Sequence, residues 1–412
     1  MKILLIHNYY QLSGGEDEVF QREKRLLVRA GFQVVEYLRD NKEIRDYNPL
    51  QTISLAARTT WAWDSHRDLR ELLKREKPDI AHFHNTFPLV SPSAYYACAS
   101  AGVPVVQTLH NPRLMCPAAT LYRDGKPCED CVGLAFPWPA VQHACYQGSR
   151  AKSAVVGSML WTHRLAGTWK SKVARYIVST KFYQGKFAAA GLPREKIALK
   201  PHFVEADPGA RDRPGDYALF IGRLASEKGV LTLLKAWDRL KHVPLRIRGE
   251  GPLADEVQKA ANAAGSPISI VPRLSSGDLF QLIKGARFLV WPSEGLYETF
   301  GLVAIEAFSC GVPVLSSRSG AMQEVVNEGR SGVHFQPGDP DDLADKVNWA
   351  WTHPAELERM GREARLEFET KYTCEKNVEM LSEIYQQALD ERPSLQADLS
   401  RPMPYSEKNA AN

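Results

Sequence analysis

Residues 2–7 read KILLIH, a short apolar run with no polar alternation. Such a run suits a strand buried on both faces, as in a parallel sheet, whereas a strand with one wet face would alternate. It leads into Ser13-Gly14-Gly15 and a helical stretch to Ala30, which makes a strand, a glycine turn and a helix. Gln33–Tyr37 repeats the strand signal, Trp61–Lys74 predicts an amphipathic helix, and Asp79–His84 and Pro104–His110 predict two more strands. Strand alternating with helix predicts an α/β protein with a doubly wound parallel sheet.

Working outward, the pattern pauses between Lys200 and Asp216, where Pro201, Pro208, Gly209, Pro214 and Gly215 stand among charges. That is linker composition, and it divides the chain into a first domain, 1–203, and a second, 204–371. The second domain restarts with YALFIG (217–222), LRIRG (245–249), ISIV (268–271), RFLVW (287–291) and PVLSS (313–317), each preceded by helical sequence. SAGVPVV at 100–106 and SCGVPVL at 309–315 echo each other as a helix end, a glycine turn and a buried strand. Two Rossmann-like halves facing a cleft are expected, with a helix at about 372–391 and a disordered tail over 392–412.

A chain of 412 residues is too long for one core, and its 44% apolar and 24% charged residues are ordinary for a folded soluble protein. A net charge of +4 without a long basic run argues against nucleic acid as a partner. The opening MKILLIHNYY is too short in apolar length for a signal peptide or a spanning helix, so a cytoplasmic location is expected. In that compartment seven cysteines would not make a disulfide framework. Cys116, Cys128, Cys131 and Cys145 share one Pro- and Gly-rich stretch with a C-x-x-C at its centre, and they are candidates for a structural zinc site.

The chemistry concentrates in GLYETFGLVAIEAFSCGVPVL, 295–315. A helix starting near Gly301 would offer the free amides of Phe300, Gly301 and Leu302, and a partial positive charge, to a phosphate. Glu298 precedes the first turn and Glu306 lies inside the helix, so the two carboxylates would hold sugar hydroxyls on either side. As a mere cap and a solvated face they would be unremarkable, but Glu306 lies in VAIEAF, where an unpaired carboxylate is costly. LFIGRLASEKG, 219–229, adds Arg223 and Lys228 after a strand and Gly222, two cations suited to a diphosphate. The plainer alternative pairs them with Glu227 on a surface loop.

Gly249-Glu250-Gly251-Pro252-Leu253-Ala254 matches a dinucleotide fingerprint, but ISIV ends in Val271-Pro272-Arg273 without the ribose-binding acid. This loop is expected to bring backbone close to the donor instead. His7, His84 and His110 each end a predicted strand and are expected to converge on the cleft as separate polar contacts rather than a metal site, with Gly14 and Gly15 offering amides beside them. Asp339-Pro340-Asp341 reads as a helix cap, not a metal-binding pair.

These motifs resemble the family-4 retaining glycosyltransferases of the GT-B fold. GRLASEKG is similar to that family's diphosphate loop, and ETFGLVAIEA to its paired-Glu motif; SGGE is similar to its N-terminal glycine loop and QTLHN to the stretch that sets His110 beside the donor sugar. KPHFV stands where the family usually has Asn-Gly, and YTCEKNVEMLSEIYQQAL, 372–389, resembles the helix that crosses back to the first domain. The resemblance implies a retaining transfer, with no cofactor needed for catalysis, from a nucleoside-diphosphate sugar to a glycan or lipid-linked acceptor in cell-surface polysaccharide synthesis. Arg223, Lys228, Glu298 and His110 would be catalytic, and Glu306 would hold the ribose. A Trp-Pro-rich loop at Phe136–Pro139 and the Arg- and Lys-rich helix at 66–77 would allow peripheral contact with the inner membrane face. A nucleotide-sugar epimerase of similar fold and a non-catalytic nucleotide-sugar-binding module are the alternatives.

Overall fold

The apolar strand Lys2–Tyr9 is an interior strand of its sheet, and the half-polar strand Gln33–Asp40 forms an edge of that sheet. The computed structural model describes residues 1–391 except Leu12, Ser13, Asp46 and Tyr297. Strand β1 (Lys2–Tyr9) has Ile3, Leu4, Leu5 and Ile6 fully buried. It pairs with β2 (Gln33–Asp40), a half-exposed edge, and with β3 (Ile80–Phe83). Next come β4 (Val105–Thr108), a two-residue hairpin of β5 (Tyr122–Arg123) and β6 (Lys126–Pro127), β7 (Arg175–Val178) and β8 (Ile197–Leu199). The first sheet is parallel, in the order β2-β1-β3-β4-β7-β8.

The second half holds β9 (Tyr217–Ile221), β10 (Leu245–Arg248), β11 (Ile268–Val271), β12 (Ala286–Trp291), β13 (Val314–Ser317) and β14 (Gly332–Phe335). They form a parallel sheet in the order β11-β10-β9-β12-β13-β14. The strand order reverses between β1 and β3 and between β9 and β12, and a doubly wound sheet opens its ligand crevice at the carboxyl ends of such strands. The echoed segments occupy equivalent places before β4 and β13. Gly102 and Gly311 both take left-handed backbone, at φ +66 and +68, to end the preceding helices.

The helix expected over Trp61–Lys74 runs Trp63–Glu76, and a separate helix, Pro49–Thr60, was not expected from the sequence. The last helix, Cys374–Asp390, lays Leu381, Ile384, Tyr385 and Ala388 into one core with Ile3, Leu5 and Phe20, so it closes one face of the first sheet. Each large apolar side chain buried this way contributes about 1.5–3 kcal/mol, which anchors the chain's return to the first half. The tail over 392–412 and Ser13 of the glycine turn lie outside the described residues. Asp339 accepts from the amides of Asp341 and Asp342 and is the cap it was read as.

Candidate active site

Two loops leave the second sheet on either side of its reversal point. After β9 the chain passes Gly222 and Arg223 into a single turn, Ser226–Lys228; after β12 it passes Ser293 and Glu298 into the helix Leu302–Ser309. Neighbouring strands bring the two loops together, and Lys228 makes an ion pair with Glu298. The same carboxylate oxygen accepts from Ser293 Oγ at 2.8 Å and from Trp291 Nε1 at 3.3 Å. Burial alone would raise the pKa of Glu298, but Lys228 and these donors outweigh it and hold the carboxyl below its usual value. An anionic, fixed acceptor results.

Gly301 is required by close packing. Its φ is +110, and a Cβ there would lie 2.0 Å from Trp291 Cη2. The helix therefore begins directly over the Trp291 ring, with Phe300 buried and Leu302 opening the first turn. Glu306 is 6% exposed, and Arg22 Nη2 from the helix Gly15–Arg29 donates to it at 2.8 Å. Neither the cap nor the solvated face describes it, for it is a buried carboxylate gripped from the opposite half.

Arg223 is half exposed and pairs with Glu227, the arrangement of an ordinary surface loop; Lys228 does not share that pairing but turns to Glu298. The glycines of the 249–251 loop serve a close backbone approach. A Cβ on Gly249 would lie 1.9 Å from the Gly222 carbonyl oxygen, and Leu224 N donates to Glu250 O at 2.9 Å. These glycines let the backbone approach the Arg223 loop closely.

The first half meets this site at several points. A Cβ on Gly15 would stand 3.8 Å from Leu302 Cδ1, which sets the first strand-helix turn against the start of the second-half helix; Gly14 caps its own helix, its amide donating to Asp17 at 3.3 Å. Thr299 Oγ1 donates to the His110 carbonyl at 3.0 Å, and Thr180 Oγ1 donates to the Thr299 carbonyl at 3.3 Å. The three histidines do not all reach the cleft. His7 is buried against Asp17 at 2.8 Å; His84, 2% exposed, and His110, which keeps partial access, both line the cavity described next. Polar side chains at the ends of central strands were drawn under the crevice by partners in the core. Burial and the neighbouring His84 and His202 push the His110 pKa well down, so the ring is neutral near pH 7.

A cavity beside His110 is lined by Glu16, Asn111, Arg113, Asn85 and Thr86. Glu16 accepts from Asn111 Nδ2 at 3.0 Å, and burial pushes its pKa up to about 8 against the pull of Asn111 and Arg113. Sequence reading did not single out Glu16, Glu23, Lys200 or His202. Glu23 carried a usable signal, since it interrupts the apolar stripe of Val19, Phe20, Leu26 and Leu27 at helical spacing. Lys200 and His202 lay in a stretch read as linker, and both are buried.

The four cysteines of the 116–145 excursion are free thiols, close enough for Cys131 to feel the other three electrostatically and for Cys145 to feel Cys116 and Cys128, the repulsion adding to burial in raising both pKa values. Among the described residues, however, the trio of metal-ligating atoms within 4.8 Å of one another is Glu23, His82 and His84, not the cysteines. The thiols are gathered but not drawn to zinc-ligand spacing, at which sulfurs sit about 2.3 Å from the metal. In the buried trio Lys200 Nζ already contacts Glu23 at 2.7 Å, so a cation fills the place a metal would need.

Comparison with known proteins agrees with this architecture. The family described as Glycosyl transferases group 1 matches residues 206–367, and Glycosyltransferase Family 4 matches residues 14–207. The chain is similar to a sulfoquinovosyl transferase of Arabidopsis thaliana, 30% identical over 40% of this chain and 32% of that protein. It is also similar to a D-rhamnosyltransferase of Pseudomonas aeruginosa, 27% identical over 60% of this chain and 70% of that one. The matched segments thus span from a third to seven-tenths of these relatives. Among solved structures, an Anabaena protein, HepE, in complex with UDP and glucose has a TM-score of 0.64 at 16% identity, covering 94% of this chain and 99% of that chain. Sucrose-phosphate synthase from Thermosynechococcus elongatus has a TM-score of 0.68 at 16% identity over 94% and 99% of the two chains. Their likeness is one of fold: two facing parallel-sheet domains, GT-B.

Proposed function

Because the chain belongs to the glycosyltransferases, family 4 in its first half and group 1 in its second, we propose that it moves a sugar from a nucleoside-diphosphate sugar to an acceptor bound beside His110, with retention at the anomeric carbon. The observation that carries this reading is the contact of Lys228 with Glu298 immediately before the amino end of the helix Leu302–Ser309. A diphosphate seated on the free amides of that helix would lie between Lys228 and Arg223. Charge developing on the leaving diphosphate would be stabilised in place, without a carboxylate nucleophile and without a metal. Glu298 would hold the donor sugar and Glu306 the ribose. UDP in the Anabaena structure makes a uridine nucleotide the first to try.

Thermal shift against UDP-, GDP-, dTDP- and ADP-sugars tests the donor, since a ligand that binds only the folded state raises its melting temperature. Incubation with donor alone then separates transfer from epimerisation, because an epimerase would isomerise the donor with no acceptor present. A pure binding module would show the shift and no turnover with any acceptor.

The acceptor is proposed to be a glycan or lipid-linked glycan, met at the membrane face during cell-surface polysaccharide synthesis in the cytoplasm. Trp138, Trp161, Leu134 and Leu165 are exposed, and Phe136 packs between the two tryptophans at centroid distances of 4.6 and 6.4 Å. That aromatic surface supports peripheral lodging at a lipid interface. No described helix is long and apolar enough to cross a membrane. Failure to sediment with anionic vesicles would count against the lipid contact. Structural zinc on Cys116, Cys128, Cys131 and Cys145 is a proposal that requires the excursion to tighten; metal analysis finding about one zinc per chain would support it, and a folded metal-free protein would end it.

A further inference from the structure

Four histidine rings form a column beneath and beside the cleft. Ring centroids of His82 and His84 are 4.6 Å apart, those of His84 and His110 5.1 Å, and those of His110 and His202 5.8 Å. At the buried end lies Glu23, fully inaccessible on the helix Gly15–Arg29. Its Oε2 accepts from Lys200 Nζ at 2.7 Å, and Lys200, itself 1% exposed, also donates to Asn377 Oδ1 at 3.0 Å. The other oxygen, Oε1, lies 3.1 Å from His84 Nε2 and 3.3 Å from His82 Nδ1. On the far side of its ring, His84 Nδ1 lies 2.9 Å from His110 Nε2.

We propose that Glu23 is a positioning residue that sets the proton arrangement of His84 and, through it, of His110, so that His110 presents an unprotonated Nδ1 to the bound sugars. Glu23 and Lys200 already balance each other, so a positive His84 beside them would be a buried charge without a counter-ion. A neutral His84 has one N–H. Glu23 Oε1 and His84 Nε2 are both buried without a hydrogen-bond partner and lie 3.1 Å from each other, so each is the group nearest to satisfying the other, and the proton belongs on Nε2, facing the carboxylate. His82 does not compete, since its Nδ1 meets Tyr385 Oη at 2.7 Å and its Nε2 meets Thr108 Oγ1 at 2.8 Å.

His84 Nδ1 is then a lone pair. Two lone pairs would not sit 2.9 Å apart, so His110 carries its own proton on Nε2 and donates it to His84. What remains on His110 is a bare Nδ1, to which no described residue hydrogen-bonds; His84 and His110 both line the cavity, and of the two it is His110 that is partly exposed. A hydroxyl of donor or acceptor would find an acceptor there, never a donor. The arrangement depends on a residue that touches no substrate, and its consequence for catalysis rests on the transferase reading given above.

The proton arrangement is readable without substrate. Two-bond proton–nitrogen correlation spectra of the full chain labelled with 15N-histidine, with His84 and His110 assigned by single His→Asn variants, are expected to show both rings neutral with the proton on Nε2. A proton on His110 Nδ1, or a charged His84 or His110 at pH 7, overturns the proposal. In Glu23→Gln the side-chain oxygen must turn to Lys200, which leaves the amide N–H₂ facing His84 Nε2. Both tautomers should then reverse, and turnover should fall about tenfold with donor KM less affected, the scale of one hydrogen bond made in the wrong sense. A folded Glu23→Gln protein with unchanged tautomers also overturns the proposal. Should that variant not fold, the spectrum of the unsubstituted protein decides alone. Loss of the tautomer pattern in an active transferase would refute this inference only, whereas the pattern without transfer to any acceptor would refute only the proposed function.

Discussion

Replacing Lys228 by alanine separates what this side chain does for the fold from what it does for the reaction. In the folded protein Lys228 balances Glu298, with side chains 19% and 12% exposed. Removing one partner of a buried pair costs about 3–5 kcal/mol, and the partial water contact of both groups and the bonds Glu298 keeps from Ser293 and Trp291 reduce this to about 2–3 kcal/mol. The loss has a pH signature. Because the folded pKa of Glu298 is depressed, its contribution is present above the ordinary carboxylate range and is lost as pH falls through the folded value. Urea unfolding should therefore show the two proteins far apart at pH 7 and converging in acid. For the reaction, loss of one preorganised charge at the leaving diphosphate should lower turnover about 10²–10³-fold, and the Km for the donor should move less. Steady-state rates of nucleoside diphosphate release, measured at a temperature where Lys228→Ala is fully folded, check this. A folded variant with turnover within about threefold of its parent would refute the reasoning.

Gly301→Ala should destabilise by about 2–5 kcal/mol, from left-handed strain of about 1–2 and overpacking of about 1–3 kcal/mol against Trp291, read as a fall in melting temperature; an unchanged melting temperature would mean the helix does not start where it is drawn. Glu16→Gln should flatten the stability profile between about pH 4.5 and pH 8: with its folded pKa raised to about 8, the native state holds a proton that the unfolded chain has released, so the parent alone loses stability as pH rises through that window. Identical profiles in urea titrations would refute it. Arg22→Ala frees Glu306 from its partner across the cleft, and nucleotide binding measured by calorimetry should tighten if a ribose competes for that carboxylate; weaker binding would make Arg22 a ligand of the nucleotide instead.

The architecture was largely legible because parallel strands buried on both faces leave uninterrupted apolar runs, as in β1 and β12, and because glycine marks the two equivalent helix ends at 102 and 311. The cationic loop and the paired carboxylates were legible for a related reason: an acid inside VAIEAF or directly before a helix start needs a partner, and residue types alone expose that need. What one strand cannot announce is its neighbour's side chain. Lys200 reads as a solvated linker residue until the fold sets Glu23 and Asn377 against it, and these come from positions 177 residues away on either side. His84 directly follows β3 as expected, whereas His7 lies inside β1, which runs on to Tyr9; the depth of both depends on the core groups they meet, Asp17 in one case and Glu23 in the other. The glycines at 249 and 251 were legible as a close-approach signal, but the sequence could not say that Gly249 faces the Gly222 carbonyl, since close approach demands glycine whatever the partner.

A crystal structure with a bound nucleoside diphosphate would test the central claim most directly. The diphosphate oxygens are expected within hydrogen-bond distance, about 2.7–3.2 Å, of Lys228 Nζ, the Arg223 guanidinium and the amides at Gly301 and Leu302, with the ribose diol at Glu306. A diphosphate seated elsewhere, with Lys228 still held by Glu298 and Arg223 by Glu227, would contradict it.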